Sequence, residues 1–380
     1  MSGLKSVSTS ANTEVANHVA RSVGPVVQAR INALQVGQKM QDLPEELWHD
    51  SFRFYVKQDP NRKGGPNLRM IRLDPNKPSL TVTGYVFNKF VHPFEDRFIT
   101  VREAARLQGF PDSLEFKGTL TSTQQQVGNA VPIPLARAVF ESVLKFAKRK
   151  GMGSNLSALS LFSGAGGMDI GASLAQCCDM SINTMAALEV WEDACNTLQG
   201  FYGDSVQIVQ RDITAIDRPL ALWKSVTGSD DMPCIVFGGP PCQSFSQAGK
   251  QKGLRDGRGK LIFEFLRFVE TLKPTFFVME NVSNLKGIEQ GSIYRRVIKV
   301  AKELGYQVNV KKLLAADHGA PQLRWRLIFI GCRNDIGGCP SMPVPTHTAT
   351  ADLFGLGKYM TVGEAFAGLP KAMYSDGRRC

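Results

Sequence analysis

The sequence predicts an α/β protein in which a mostly parallel, seven-stranded sheet is wrapped by helices and accompanied by a smaller domain. Three observations carry that prediction. From Leu156 onward, short β-branched or aromatic runs alternate with amphipathic stretches, the pattern of parallel strands joined by helical crossovers. Two of those stretches repeat apolar residues at helical spacing. The first 150 residues, by contrast, are loop-rich and hold most of the basic excess, which marks them as a different unit.

The strands are expected at ALSLF (158–162), MAALE (185–189), VQIVQ (206–210), CIVFG (234–238), TFFVME (275–280), VNVKKL (308–313) and RLIFIG (326–331). Between them, KLIFEFLRFVETLK puts Leu261, Ile262, Phe265, Leu266, Val269 and Leu272 on one helical face. IYRRVIKVAKELGY does the same with Ile293, Val297, Ile298, Ala301 and Leu304, so both faces are expected to pack on the sheet. Upstream, DPNRKGGPN (59–67) and DPNKPS (74–79) mark turns, and a helix is expected from about Leu135 to Lys148. KRKGMGSN (148–155) reads as a flexible connector. The expected units are a small domain (1–110 together with about 340–380), a helical segment (111–150) packing on the large domain, and the large domain itself (156–335).

A chain of 380 residues, 43% hydrophobic, can bury a large core. Its net charge of +11 favours a polyanionic partner, and residues 1–150 hold 21 Lys and Arg against 13 Asp and Glu. Eight scattered cysteines without a CxxC pair argue against a disulfide framework and a structural zinc. His18, His49, His92, His318 and His347 have no metal-like spacing, so no metal is expected. No apolar run is long enough to span a bilayer and the first twenty residues lack a secretory pattern, which points to the cytoplasm.

Chemistry concentrates at strand ends. LSLFSGAGGMDIG (159–171) runs a strand through Phe162, Ser163, Gly164, Gly166 and Gly167 into a helix, letting backbone approach a ligand. Alone, such a turn could take a dinucleotide, a nucleoside or nothing. Glu189 with Val190 ends the next strand and Asp212 with Ile213 follows the third. These acids suit ribose hydroxyls and an adenine amino group, so together with the glycine turn they favour an adenosine-containing cofactor. FGGPPCQSFSQAGK (237–250) holds Cys242 behind Pro240 and Pro241 at the end of the fourth strand, and ENV puts Glu280 at the end of the fifth. Neighbouring parallel strands deliver thiol and carboxyl to one edge.

With these segments in view, the chain resembles the bacterial DNA cytosine-5 methyltransferases of restriction-modification systems. FSGAGGMDIG resembles the family's cofactor loop, PPCQSFS its nucleophile loop, ENV its acid and QLRWR (322–326) its paired-arginine strand. RFITVREAARLQGFPD (97–112) and QVGNAVPIPLA (126–136) resemble its two closing motifs. Those closing motifs stand before the cofactor loop instead of after it, the order of a circularly permuted member. YMTVGEAFAGLP (359–370) and the stretch from Asn17–His18 to RKGGP (62–66) then resemble two pieces of a divided target-recognition region.

The resemblance implies a Rossmann-like S-adenosylmethionine-dependent methyltransferase fold with 156–335 as catalytic domain. It implies S-adenosyl-L-methionine held by the residues above with Pro240, Asn129 and Val131, Asn129 lying near its methionine end. Cys242 becomes the nucleophile on cytosine C6 and Glu280 the acid at N3, while Arg326 contacts the base and Arg324 supports nucleophile and phosphate. Gln243, Ser244, Ser246, Lys250, Arg255, Arg258, Arg62 and Lys63 become candidate DNA contacts, and the glycine-hinged basic loop 246–260 closes over the substrate. The expected partner is double-stranded DNA, with a monomeric enzyme paired in function to a restriction endonuclease, in a bacterial or phage setting. Two readings compete: a transfer-RNA cytosine-5 methyltransferase, and a non-catalytic DNA-binding regulator on the same scaffold. A nicotinamide-dependent oxidoreductase, which the glycines alone suggest, gives PPCQ and ENV no purpose.

Overall fold

The computed structural model describes residues 15–50, 52–54, 70–228, 230–241, 260–350 and 355–374. All seven expected strands form: β1 (Asn155–Leu161), β2 (Ser181–Glu189), β3 (Gln207–Gln210), β4 (Ile235–Gly238), β5 (Phe276–Val282), β6 (Tyr306–Leu314) and β7 (Trp325–Arg333). They build one sheet in the order β6-β7-β5-β4-β1-β2-β3. β7 runs antiparallel to both its neighbours, and the pairings from β5 to β3 are parallel.

The helices that position the site are α1 (Pro25–Ala33), α2 (Val101–Gln108), α3 (Leu120–Asn129), α4 (Ile133–Arg149), α5 (Gly167–Leu174), α6 (Glu192–Tyr202), α7 (Pro219–Thr227), α8 (Lys260–Leu272), α9 (Ser292–Glu303) and α10 (Val362–Phe366).

Side-chain alternation explains why the central strands read as continuous apolar runs. Ala158, Ile235, Phe237, Phe276, Val278, Ile328 and Ile330 face a core shared with α4 and α5. Leu159, Val236, Phe277, Met279, Leu327 and Phe329 face the opposite core, with Ile262, Phe265, Leu266 and Val269 of α8 and Val297 of α9. Both expected helical faces are therefore on the sheet, with Leu261, Ile298 and Leu304 at their half-buried margins. The connector is shorter than its composition suggests, because α4 continues to Arg149 and β1 starts at Asn155.

A third core crosses the domain boundary expected at residue 110. It joins Leu73, Val82, Phe87 and Phe90 to Ala104, Leu107, Phe116 and Val127, to Ala165 and Ile170 beside the glycine turn, and to Val362 and Phe366 of α10. Residues 111–130 thus pack with the N-terminal part, through Leu114, Phe116 and Val127. A fourth, smaller core gathers Ile31 and Leu34 with Met40, Leu43, Met70, Val91 and Phe98.

Local chemistry fixes these segments. Thr100 and Glu103 form a reciprocal capping box at the start of α2, and Gly109 ends it at φ 84°, a left-handed position suited to glycine. His92 is a structural residue: its Nδ1 accepts from the Phe94 and Glu95 N–H groups, and its ring stacks on Phe366 at 5.4 Å. Burial pushes its imidazole down to about 4, against the pull of Glu103, so it is neutral at physiological pH.

The two distant ends of the described chain meet. Val19–Ala20 pairs in parallel with Met373–Tyr374. The Asn17 side chain donates to the Phe116 carbonyl and accepts from its N–H, while His18 Nε2 donates to the Pro370 carbonyl at 2.8 Å. His18 therefore ties the N-terminal stretch to the C-terminal one, and Asn17 ties it to the backbone at Phe116.

Candidate active site

The strand order reverses between β1 and β4, and open α/β sheets take ligands in the crevice beyond that point. A cavity of about 1210 Å³ lies there, bounded by the carboxyl ends of β1 to β5 and by the α3–α4 turn. Phe162, Ser163, Gly164, Gly167, Glu189, Val190, Asp212, Ile213, Pro240, Asn129 and Val131 all line it, as do Glu280, Arg324 and Arg326.

At one end, the glycine turn is shaped by two left-handed residues, Phe162 at φ 55° and Gly164 at φ 54°. Left-handed backbone at a phenylalanine is sterically costly and concentrates at functional sites. Glu189 accepts from the Gly164 N–H at 2.7 Å and from the Val190 and Trp191 N–H groups at 2.8 and 2.9 Å. Its carboxylate thus locks the turn to the end of β2 while bordering the cavity. Asp212 caps the turn after β3 through one oxygen, which accepts from Thr214 N–H and Oγ1 at 2.8 Å each. The α3–α4 turn presses on the glycine turn so closely that a Cβ at Gly167 would stand 2.4 Å from the Val131 carbonyl oxygen. Gly166 departs from expectation: it does not border the cavity. Its φ of 84° starts α5, and its side faces Leu198.

Asp169, in the first turn of α5, was not anticipated. It borders the cavity yet is fully buried, and neither carboxyl oxygen has a hydrogen-bond partner among the described residues. Burial pushes its carboxyl up to about 7, and the buried, unpartnered Tyr202 hydroxyl is likewise pushed up by burial and by this acid.

At the other end, Glu280 closes β5 with 8% of its surface exposed and pairs with Arg326 on antiparallel β7 at 2.5 Å. Burial raises this carboxyl above its ordinary range against the pull of the Arg326 and Arg324 guanidiniums. The carboxyl also abuts Gly239, where a Cβ would lie 2.9 Å from Glu280 Oε2. Asn281, the middle residue of ENV, donates to the Pro240 carbonyl at 2.9 Å. It ties the β5 end to the proline pair that leads into Cys242. Cys242 itself lies outside the described residues, as do Gln243, Ser244, Ser246, Lys250, Arg255, Arg258, Arg62 and Lys63.

Arg324 differs from expectation. It is 1% exposed and its guanidinium donates to the Val82 carbonyl and, at 2.9 Å, to the Gly128 carbonyl. With both terminal nitrogens committed to backbone, it braces the site's wall instead of reaching out to a phosphate. Gln322, two residues earlier, is a second unanticipated brace: it donates to the Leu107 carbonyl and to Gln108 Oε1 and accepts from the Val82 N–H.

Taken as a whole, the site joins a crevice lined by the glycine turn and two strand-end acids to a buried carboxyl–guanidinium pair. The family model for C-5 cytosine-specific DNA methylases matches residues 8–145 and 156–354. The chain belongs to that family. Its sheet order and glycine turn are those of the Rossmann-like fold of S-adenosylmethionine-dependent methyltransferases. This methylase is 39% identical over 229 residues to the type II methyltransferase M.AquIA of Picosynechococcus sp., covering 56% of this chain and 89% of the relative. It is 37% identical over 219 residues to type II methyltransferase M1.HphI of Haemophilus parahaemolyticus, covering 57% of this chain and 54% of the relative. The methylase therefore spans most of the first relative and about half of the second. A crystal structure described as a DNA modification methyltransferase encoded within an E. coli prophage aligns with 28% identity and a TM-score of 0.44, covering 57% of this chain and 56% of that one. Among the described residues no helix is long and apolar enough to cross a membrane, and no group of three or more His, Cys, Asp or Glu could hold a metal.

Proposed function

We propose that this methylase transfers a methyl group from S-adenosyl-L-methionine to C5 of a cytosine extruded from double-stranded DNA, as the modification enzyme of a restriction-modification system. The observation that carries this reading is one continuous cavity bordered by the glycine turn with Glu189 and by the Glu280–Arg326 pair.

The residues present fit the cofactor. Two strand-end acids, exposed glycine-turn backbone and a crevice of this size suit an adenosine with an amino-acid tail. Glu189 and Asp212 would hold ribose and adenine, and Asn129 the methionine end. When bound, S-adenosylmethionine supplies an electrophilic methyl group.

The chain's own residues prepare the base. Cytosine C5 is a poor nucleophile, so the Cys242 thiolate adds to C6 and loads electron density onto C5; once C5 carries the methyl group, loss of its proton to water expels the thiolate and restores the ring. Glu280, kept protonatable by burial, hydrogen-bonds or protonates N3 as negative charge builds there. Arg326 fixes the Glu280 carboxyl and contacts the base. Extrusion costs about a few kcal/mol of stacking and pairing, and the net charge of +11 favours the phosphates that accompany the base. The permuted order is supported by a family match in two blocks and by the pairing of Val19–Ala20 with Met373–Tyr374.

Labelled cofactor offered with duplex DNA and with transfer RNA tests the reading: label enters DNA only. Incorporation into transfer RNA alone would overturn it. Cys242→Ala abolishes incorporation and retains cofactor binding, and bisulfite sequencing of DNA from expressing cells maps the modified cytosine.

A further inference from the structure

Resting on that reading, we propose that the turn Gly84–Lys89, together with Lys39, is a clamp on the DNA strand at the mouth of the cavity. Tyr85 packs against the nucleotide next to the extruded base, and Lys39 and Lys89 take phosphates of the same strand.

Tyr85 is 83% exposed, the most exposed of the large apolar side chains among the described residues, and it borders the cavity with Thr81 and Thr83. Its neighbours are the opposite. Val86 and Phe90 are wholly buried and Phe87 nearly so, all in the third core.

Backbone ahead of the ring is pinned on both sides. Thr81 Oγ1 donates to the Leu323 carbonyl at 2.8 Å, the Val82 N–H donates to Gln322, and the Val82 carbonyl accepts from buried Arg324. Gly84 packs so tightly on α3 that a Cβ at Gly128 would stand 2.0 Å from its nitrogen. An aromatic ring left in water on backbone anchored this firmly is placed for a partner, since its apolar face is not covered by the protein. Base and sugar faces are such partners, and stacking on them tolerates any sequence.

The lysines supply an independent observation. Lys39 bridges Ile71, whose N–H donates to the Lys89 carbonyl at 2.7 Å, so three adjacent segments bring two cations together. Both are half-buried, and among the described residues neither forms an ion pair with an acid, the Lys89 ammonium lying instead 5.7 Å from the centre of the Phe90 ring. Burial, then the charge of Lys39, pulls the Lys89 ammonium below its ordinary range. Neither lysine lines the cavity, but Lys89 follows cavity-lining Tyr85 by four residues, and two cations that repel each other are relieved by a polyanion.

The test uses the full chain and a duplex carrying the cytosine mapped by bisulfite sequencing, with affinity followed by fluorescence anisotropy across a salt series. Lys39→Gln with Lys89→Gln is expected to flatten the plot of log affinity against log salt by about 1.8, at about 0.9 for each phosphate left without its lysine. Tyr85→Ala weakens duplex binding about tenfold or more, as removal of one stacking ring does, and Tyr85→Phe retains it. Cofactor affinity and Tm stay at wild-type values in all three. An unchanged salt slope in the double variant, or unchanged affinity in Tyr85→Ala, overturns the clamp while leaving the enzymatic reading intact. Wild-type protein that fails to bind the duplex overturns both.

Discussion

Replacing Asp169 with asparagine isolates the cost of burying an unpartnered acid beside the cofactor crevice. In the folded protein its carboxyl titrates at about 7 against an ordinary 3.8, so ionisation is roughly a thousandfold harder than in the unfolded chain. At 1.36 kcal/mol for each tenfold step, that is up to roughly 4 kcal/mol. Because the folded value is the raised one, the acid is neutral in both states below 3.8 and costs nothing there. As pH rises from about 4 to about 7 the unfolded chain ionises first, and stability is lost across that window. An asparagine side chain has no such window. The Asp169→Asn variant should therefore gain on wild type by roughly 2–3 kcal/mol between about pH 5 and about pH 8, or about 5 °C in Tm at about 2 °C for each kcal/mol in a long chain. Urea unfolding and thermal melts at the two pH values, without cofactor, measure it. Parallel pH profiles for the two proteins would refute the reasoning, because they would mean that Asp169 ionises freely.

Glu280→Gln keeps the shape and one donor but removes the proton that moves, and is expected to lower kcat by about 10²–10⁴ with cofactor affinity unchanged; single-turnover methylation checks it. Glu189→Ala releases the Gly164, Val190 and Trp191 N–H groups and removes an acid assigned to the cofactor, so cofactor Kd by calorimetry should rise at least about tenfold, given about 1.5–3 kcal/mol for a hydrogen bond to a charged group. Gly167→Ala drives a Cβ to 2.4 Å from the Val131 carbonyl and should lower stability by about 1–3 kcal/mol and weaken cofactor binding, both visible in a melt with and without cofactor.

The sheet was legible because its strands are apolar on both faces, so Ile235–Gly238 and Phe276–Val282 stand out against any background. Polar beginnings were not: β2 starts at Ser181, four residues before its apolar stretch, because backbone pairing with β1 continues there. Strand direction leaves no local trace, and the antiparallel course of β7 came only from the structure. At the site, Glu189, Asp212 and Glu280 could be expected at one edge because periodicity locates strand ends, and all three border the same cavity. Arg324 was misread because its partners, Val82 and Gly128, are 242 and 196 residues away in sequence. Asp169 was missed because an acid in a helix's first turn is ordinarily a solvated dipole partner, and only the packed fold reveals that water is excluded from it. The third core, assembled from four separated stretches, explains why a boundary at residue 110 looked reasonable from composition and fails on packing.

The bridge between Val19–Ala20 and Met373–Tyr374 is parallel, and that direction governs how the molecule can be handled. Two parallel strands send the preceding segment of one and the following segment of the other away at opposite ends. The chain entering Val19 and the chain leaving Tyr374 therefore stand at opposite ends of the bridge, and tension between those two points loads it in shear. A covalent connection from Tyr374 back to Val19 would need a return path of about a dozen residues or more, not a tight hairpin.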